Sequence, residues 1–241
     1  MLFYHWNRRL YNLQILAIMR KFIIFAQNFL IMITYHISAF KDCYIMQKED
    51  IEHFANTLAD GFSRYNLFEY VCNGEYDHNK MSLSWRVSLA LAYDNAICIA
   101  DSKDFNSVLV YIRPKSKEPG LIDYLKMGGG KMLFAIGLRS VMRLLRFEAL
   151  SKRVAKQYQT ENDGYLMAFA TRLDKQGQNY GKPLIEALLR YLDASGEGCY
   201  LETLKAENVA MYEHFSFQFK EQKALGLGDL TLYAMYRPGA K

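Results

Sequence analysis

The 241-residue chain predicts an α/β domain built on one mixed sheet. From residue 41 onward, short runs rich in β-branched and aromatic residues alternate with segments whose apolar positions recur every three or four residues, the pattern of strands interleaved with helices. The last two apolar runs are joined by the polar link "GLGD", which marks a closing hairpin. Half of the residues (51%) are apolar, enough for a sizeable core, and no internal repeat or low-complexity linker divides this body.

Taken in order, "KDCYIM" is a short strand. "KEDIEHFANTLADGF" then sets Ile51, Phe54, Ala55, Leu58 and Phe62 at helical spacing, with acids early and Gly61 late. "MSLSWRVSLALAY" is a second helix. "AICIAD" and "SVLVYIRP" are strands separated by the polar turn "SKDFN". Residues 114–160 form a helical insertion: "GLIDYLKM", then "GGG", then "KMLFAIGLRSVMRLLRFEALSKRVAKQY", where Leu133, Ile136, Val141, Leu144, Leu145 and Leu150 make a helical stripe. The "GGGK" of residues 128–131 lacks phosphate-loop spacing and carries Met132 where Ser or Thr belongs, so it reads as a hinge between helices. The strand "YLMAFATRL", a helix over residues 179–193, the strand "CYLET", the short helix "AENVAMYEHF" and the hairpin "FQFKEQKAL"/"LTLYAMYRP" complete the body.

The net charge of +5 is unevenly distributed. Arg8, Arg9, Arg20, Lys21 and Lys41 carry all of it, and residues 1–41 hold no Asp or Glu. Residues 42–241 are balanced at 25 basic and 25 acidic side chains, which gives a nucleic-acid-binding face no support. Cys43, Cys72, Cys98 and Cys199 are widely spaced with no C-x-x-C pair, and the five histidines are scattered, so reduced thiols in a cytoplasmic protein are expected and a metal site is not.

Residues 1–40 are an apolar, basic extension of a different texture. The stretch "FIIFAQNFLIMITYHISAF" has no charge, yet Gln27, Asn28, Thr34, His36 and Ser38 dilute it and argue against a membrane span. An extra packing helix, a signal anchor, or a start codon assigned too early, with Met32 or Met46 as the true start, all fit this composition.

The junction "QGQNYGKPL" carries the chemistry. A helix N-terminus offers unpaired amides and a partial positive charge, and so binds phosphate when side chains step aside. Gly177 and Gly181 step aside, Asn179 tolerates a left-handed backbone, and Lys175 and Lys182 add charge at the rim. Such turns also occur in proteins that bind nothing.

A second motif gives the junction a context. Gln176-Gly177-Gln178-Asn179-Tyr180-Gly181 resembles the Q/R-x-x-G-x-G/A loop of the GNAT superfamily of acyl-CoA-dependent N-acetyltransferases. Leu201-Glu202-Thr203 with Asn208, Tyr212, Glu213 and Phe217 resembles that superfamily's LET…N…YE…GF signature. Within the superfamily the chain is most similar to the puromycin N-acetyltransferase-like branch. The resemblance is strong over residues 164–238, while the front half matches only in order of elements.

The resemblance implies a mostly antiparallel sheet with a splay between two parallel strands and helices on both faces. It also implies acetyl-CoA as cosubstrate and direct transfer to a small-molecule amine, with a protein or peptide amine, or a non-catalytic acyl-CoA-binding module, as alternatives. In this reading Phe169 and Thr171 occupy the pantetheine-pairing positions, residues Gln176, Gly177, Gln178, Asn179, Tyr180, Gly181 and Lys182 hold the pyrophosphate, and Asn208 contacts the pantetheine or fixes its helix. Tyr212, a phenol of pKa about 10, protonates the departing thiolate. Glu202 is the candidate base, and backbone amides of the splayed strand meet the oxyanion. The resemblance is also compatible with a homodimer paired through the C-terminal strands. Three residues depart from the pattern: Asn179 for the second glycine, Leu173 for a frequent proline, and Ser216 for the glycine of "GF".

Overall fold

The computed structural model describes residues 38–72 and 74–240, and Phe40–Lys241 form one compact unit. The readings made for residues 1–37 lie outside the described residues. Seven strands form one sheet in the order β1-β2-β3-β4-β5-β7-β6. The strands are β1 (Tyr44–Ile45), β2 (Ala96–Ala100), β3 (Ser107–Ile112), β4 (Asp163–Thr171), β5 (Gly198–Thr203), β6 (Gln218–Ala224) and β7 (Thr231–Arg237). Every neighbouring pair is antiparallel except β4 and β5.

Helices cover both faces because side chains on a strand alternate sides. Helix α1 (Ile51–Gly61) and helix α3 (His78–Ala92) bring Phe54, Ala55, Leu58 and Leu89 against Cys98, Val108, Val110, Ala168 and Ala170. Full burial of a side chain such as Phe54 or Leu58 contributes about 1.5–3 kcal/mol. Tyr111, next to Val110 and so on the opposite face, meets Tyr191 of α7 (Lys182–Ser195) edge-on at 5.9 Å between ring centroids. Leu184, Ile185, Leu188 and Leu192 of α7 are fully buried. Helix α8 (Glu207–His214) follows β5. The edge strand β6 is largely exposed and carries Lys220, Glu221 and Lys223, charges that discourage a further strand from pairing.

Between β3 and β4 lie α4 (Leu121–Lys126), α5 (Gly129–Ile136) and α6 (Leu138–Tyr158), preceded in the chain by the short α2 (Asn66–Cys72) after α1. The stripe expected along one continuous helix is broken here. Gly128 (φ 95°) separates α4 from α5, and Gly137 (φ 83°) separates α5 from α6, which resets the helical phase. Met132, Ile136 and Phe147 are buried and Val141 and Leu144 pack on the core, whereas Leu133 and Leu145 face outward.

Candidate acyl-CoA site

The site begins with a tear in the sheet. β4 is nine residues long, yet it pairs with β5 only at Asp163–Gly198, Gly164–Cys199 and Tyr165–Tyr200. On its other side β4 stays paired with β3 as far as Thr171. The β3 register passes from Val110–Ala168 to Tyr111–Leu166, so Met167 is an extra residue in β4. Such a bulge bends its strand and increases local twist. It falls where the pairing with β5 stops, and leaves Leu166 to Ala170 with a strand on one side only.

The loop after β4 turns through two left-handed residues, Gly177 (φ 75°) and Asn179 (φ 65°). Asn179, the departure from glycine, therefore keeps the backbone conformation that a glycine would supply. The amides of Gln176, Gln178 and Lys182 close turns onto the carbonyls of Leu173, Lys175 and Asn179. Among the described residues, the amides of Gly177, Asn179, Tyr180 and Gly181 donate to no protein acceptor, and Gln176 to Asn179 are exposed. Unpaired, outward-facing donors at the start of α7 fit a phosphate group. Pro183 at the head of the helix has no N–H to add. The rim lysines are partly engaged: Lys175 lies 3.6 Å from Asp174, and Lys182 lies 3.8 Å from Glu186.

Gly181 sets the depth of this cradle. A β-carbon there would stand 2.8 Å from Phe169 Cζ and 3.3 Å from Thr171 Oγ1, so α7 approaches β4 closely at the two positions assigned to pantetheine. The Thr171 carbonyl already accepts the Gln176 side chain at 3.1 Å.

Tyr212 is held by the turn that ends α8. Phe217 N–H donates to the Tyr212 carbonyl at 3.1 Å and Ser216 N–H to Glu213 at 2.9 Å, with Ser216 left-handed at φ 66°. This paired closure normally uses glycine and adds an apolar contact across the turn. Here that contact is the edge-on packing of Phe217 on the Tyr212 ring, 5.9 Å between centroids. Ser216 thus does the work of the missing glycine. Burial pushes the Tyr212 phenol well above its ordinary pKa, and its hydroxyl makes no hydrogen bond among the described residues. It remains a protonated donor at neutral pH, as a general acid requires.

Glu202 sits in a cage of hydroxyls. Tyr200 donates to Oε2 at 3.1 Å, Tyr165 to Oε1 at 3.3 Å, and Ser151 of α6 to Oε1. Burial raises its pKa, and the bonds from Ser151, Tyr200 and Tyr165 pull it back part of the way. Tyr200 and Glu202, two residues apart on β5, share the face covered by the inserted helices.

The Asn208 amide donates to Thr203 Oγ1 at 3.1 Å and ties the start of α8 to the end of β5. Lys205 N–H donates to the same oxygen at 3.3 Å. A threonine hydroxyl with both acceptor sites filled has its hydrogen left to give, and Tyr65 Oη lies 2.9 Å away. Tyr65 Oη also accepts Leu204 N–H at 2.7 Å. With two hydrogens received, the phenol's own hydrogen has no acceptor among the described residues.

The sequence reading missed Tyr65, Ser151, Tyr165 and Tyr200. Tyr65 and Ser151 stand 138 and 51 positions from their partners and carry no local signal. Tyr165 and Tyr200 close the last rung of the parallel pairing, which was legible only once the register was known. A polar cavity of about 650 Å³ lies between α1, α3 and the β2–β3 turn, lined by His53, Asn56, His78 and Arg86 among others, and reaches Arg172 at the start of the loop after β4. Among the described residues no group of His, Cys, Asp and Glu could hold a metal, and no helix is long and apolar enough to cross a membrane.

Solved structures share this fold. The histone acetyltransferase HPA2 and related acetyltransferase from Corynebacterium glutamicum superposes with a TM-score of 0.57 at 14% identity, covering 83% of this chain and 96% of that one. The fold is that of the GNAT acetyltransferases. The C-terminal condensation domain of Ebony, solved with β-alanyl-dopamine, superposes at a TM-score of 0.57 and 8% identity over 81% of this chain and 97% of that domain. In sequence, an uncharacterised N-acetyltransferase of Schizosaccharomyces pombe is 22% identical over 188 residues, 73% of this chain and 74% of the relative. No protein-family model matches the chain.

Proposed function

We propose that this GNAT-fold protein is an acyl-CoA N-acyltransferase that moves an acetyl group from acetyl-CoA directly to the amine of a small molecule. One observation carries the reading: the four unpaired amides at the head of α7 adjoin the free edge of β4, so a diphosphate held by the first places its extended arm along the second. In the chain's own terms, the Leu166–Ala170 edge orients the arm and offers amides to the oxyanion, and Tyr212 gives its proton to the departing thiolate. The acceptor arrives as an ammonium and must lose a proton before it can attack. Glu202, with its raised pKa, takes that proton within the cage of Ser151, Tyr165 and Tyr200. The three inserted helices wall the acceptor side and set its size limit.

The test is turnover of acetyl-CoA by the purified chain against a panel of small amines, puromycin included, and peptides with free N-termini or lysines, read as released thiol. Turnover with a small amine is expected. Turnover with peptides alone moves the acceptor to a protein amine, and neither turnover nor calorimetric binding of acetyl-CoA ends the reading.

A further inference from the structure

The helical insertion carries a surface that acyl transfer does not explain. Of the large apolar side chains exposed among the described residues, Ile122, Leu125, Met127, Leu133, Phe134, Leu138, Met142 and Leu145 all lie within α4 to α6 and their links. Phe134 is 94% exposed, Ile122 66% and Leu138 65%. Soluble monomers rarely expose so many large apolar side chains within one segment.

Cations accompany it. Residues 121–147 contain Lys126, Lys131, Arg139, Arg143 and Arg146 against one acid, Asp123. Asp123 caps its own helix by accepting the Gly120 amide at 2.9 Å. Arg143 turns to the Tyr70 carbonyl and ring. Lys126, Lys131, Arg139 and Arg146 form no ion pair among the described residues. On α6, Leu138, Met142 and Leu145 recur at i, i+4, i+7, and Arg139, Arg143 and Arg146 repeat that spacing one residue later. The two rows therefore run side by side, about 100° apart around the helix. An apolar row flanked by arginines is how helices lie in a headgroup layer, the apolar face sunk about 5–10 Å.

We infer that α4–α6 form a docking surface for an anionic lipid bilayer, on which these helices lie without crossing it. Phe134, Leu138, Met142 and Ile122 enter the acyl boundary, while Lys126, Lys131, Arg139 and Arg146 meet lipid phosphates. A protruding ring among free cations matches a fluid, negatively charged surface, which needs no preformed pocket; a folded protein partner would have to supply one. The inference is independent of acyl transfer.

Flotation of the full chain with vesicles decides it. Vesicles of phosphatidylcholine alone are compared with vesicles holding about 30 mol % phosphatidylserine. The protein is expected to float with the anionic vesicles only, and to be released at about 0.5 M NaCl, where surface charges are screened. Phe134→Asp with Leu138→Asp, and separately Arg139→Glu with Arg146→Glu, weaken flotation about tenfold or more. All four residues are surface residues, and an unchanged thermal unfolding curve shows that each variant is folded. Residues 1–41 are the same in every variant and cancel in the comparison. The inference is overturned by absence of flotation with anionic vesicles, or by equal flotation of Phe134→Asp/Leu138→Asp. A dimer in sedimentation velocity that Phe134→Asp dissolves, without lipid binding, overturns it too and makes this face a contact between copies.

Discussion

The Phe169 ring of β4 lies directly under the backbone of Gly181, at a distance that leaves no room for a side chain: a β-carbon there would meet Cζ at 2.8 Å and Cε2 at 3.1 Å. Gly181→Ala therefore lifts the head of α7 from the strand or twists the ring, at a cost of about 1–3 kcal/mol. The same shift misaligns the loop amides, so acetyl-CoA affinity in calorimetry falls with stability. Trimming the ring in Phe169→Leu restores room, and a double-mutant cycle shows positive coupling between the two sites.

Asn179 and Ser216 occupy left-handed backbone, at φ 65° and φ 66°. That conformation costs an ordinary L-residue about 1–2 kcal/mol, less for asparagine. Ser216→Gly is expected to raise the denaturation midpoint more than Asn179→Gly, because serine gains less from the left-handed region. Asn179→Val, a β-branched residue, lowers it.

Tyr212→Phe removes a hydroxyl that bonds to nothing among the described residues and keeps the ring on Phe217. Stability stays within about 0.5 kcal/mol of the parent. Turnover falls by about 10²–10⁴ while acetyl-CoA binding persists, the pattern of a lost proton donor. Unchanged turnover removes Tyr212 from the chemistry.

Tyr65→Phe behaves in the opposite way. It strips an acceptor from Leu204 N–H and a partner from the Thr203 hydroxyl, both in a part-buried site. A loss of about 1–3 kcal/mol in chemical denaturation is expected.

Glu202 makes stability depend on pH. Its pKa is raised in the fold above the ordinary 4.5, chiefly by burial, so the fold favours the protonated carboxyl more than the unfolded chain does. The contribution is complete below about 4.5 and is lost as pH climbs through the raised value. In Glu202→Gln nothing titrates at this position. The melting temperature of the variant relative to the parent should rise across that window, and a difference that stays flat with pH contradicts the assignment.

Much of the fold was legible because its signals are local. The alternation along "YLMAFATRL", the spacing of Phe54, Ala55 and Leu58, and the glycines of "GLGD" each depend on near neighbours. Those glycines, Gly226 and Gly228, are left-handed, as a tight link needs. The insertion was read less well. Leu144 and Leu145 are adjacent and cannot both face the core, and only the break at Gly137 decided which one does. Helix α2 is seven residues long and too short to show a period. The candidate site divided along the same line. The loop and α8 announced themselves by spacing, whereas the hydroxyl cage around Glu202 draws on α6, β4 and β5, and Tyr65 reaches β5 from the α1–α2 link, so both exist only after folding.

Only three rungs tie the two halves of the sheet together through β4 and β5. Amide protons at Leu166 to Ala170 that face the gap should exchange with solvent early, and proteases should find their first foothold where the halves part. Any molecule that lies along that seam stitches it shut and adds its binding free energy to the resistance of the whole chain. The cellular lifetime of this protein would then follow the supply of whatever fills the seam, so that its abundance records how well fed its cell is with that compound.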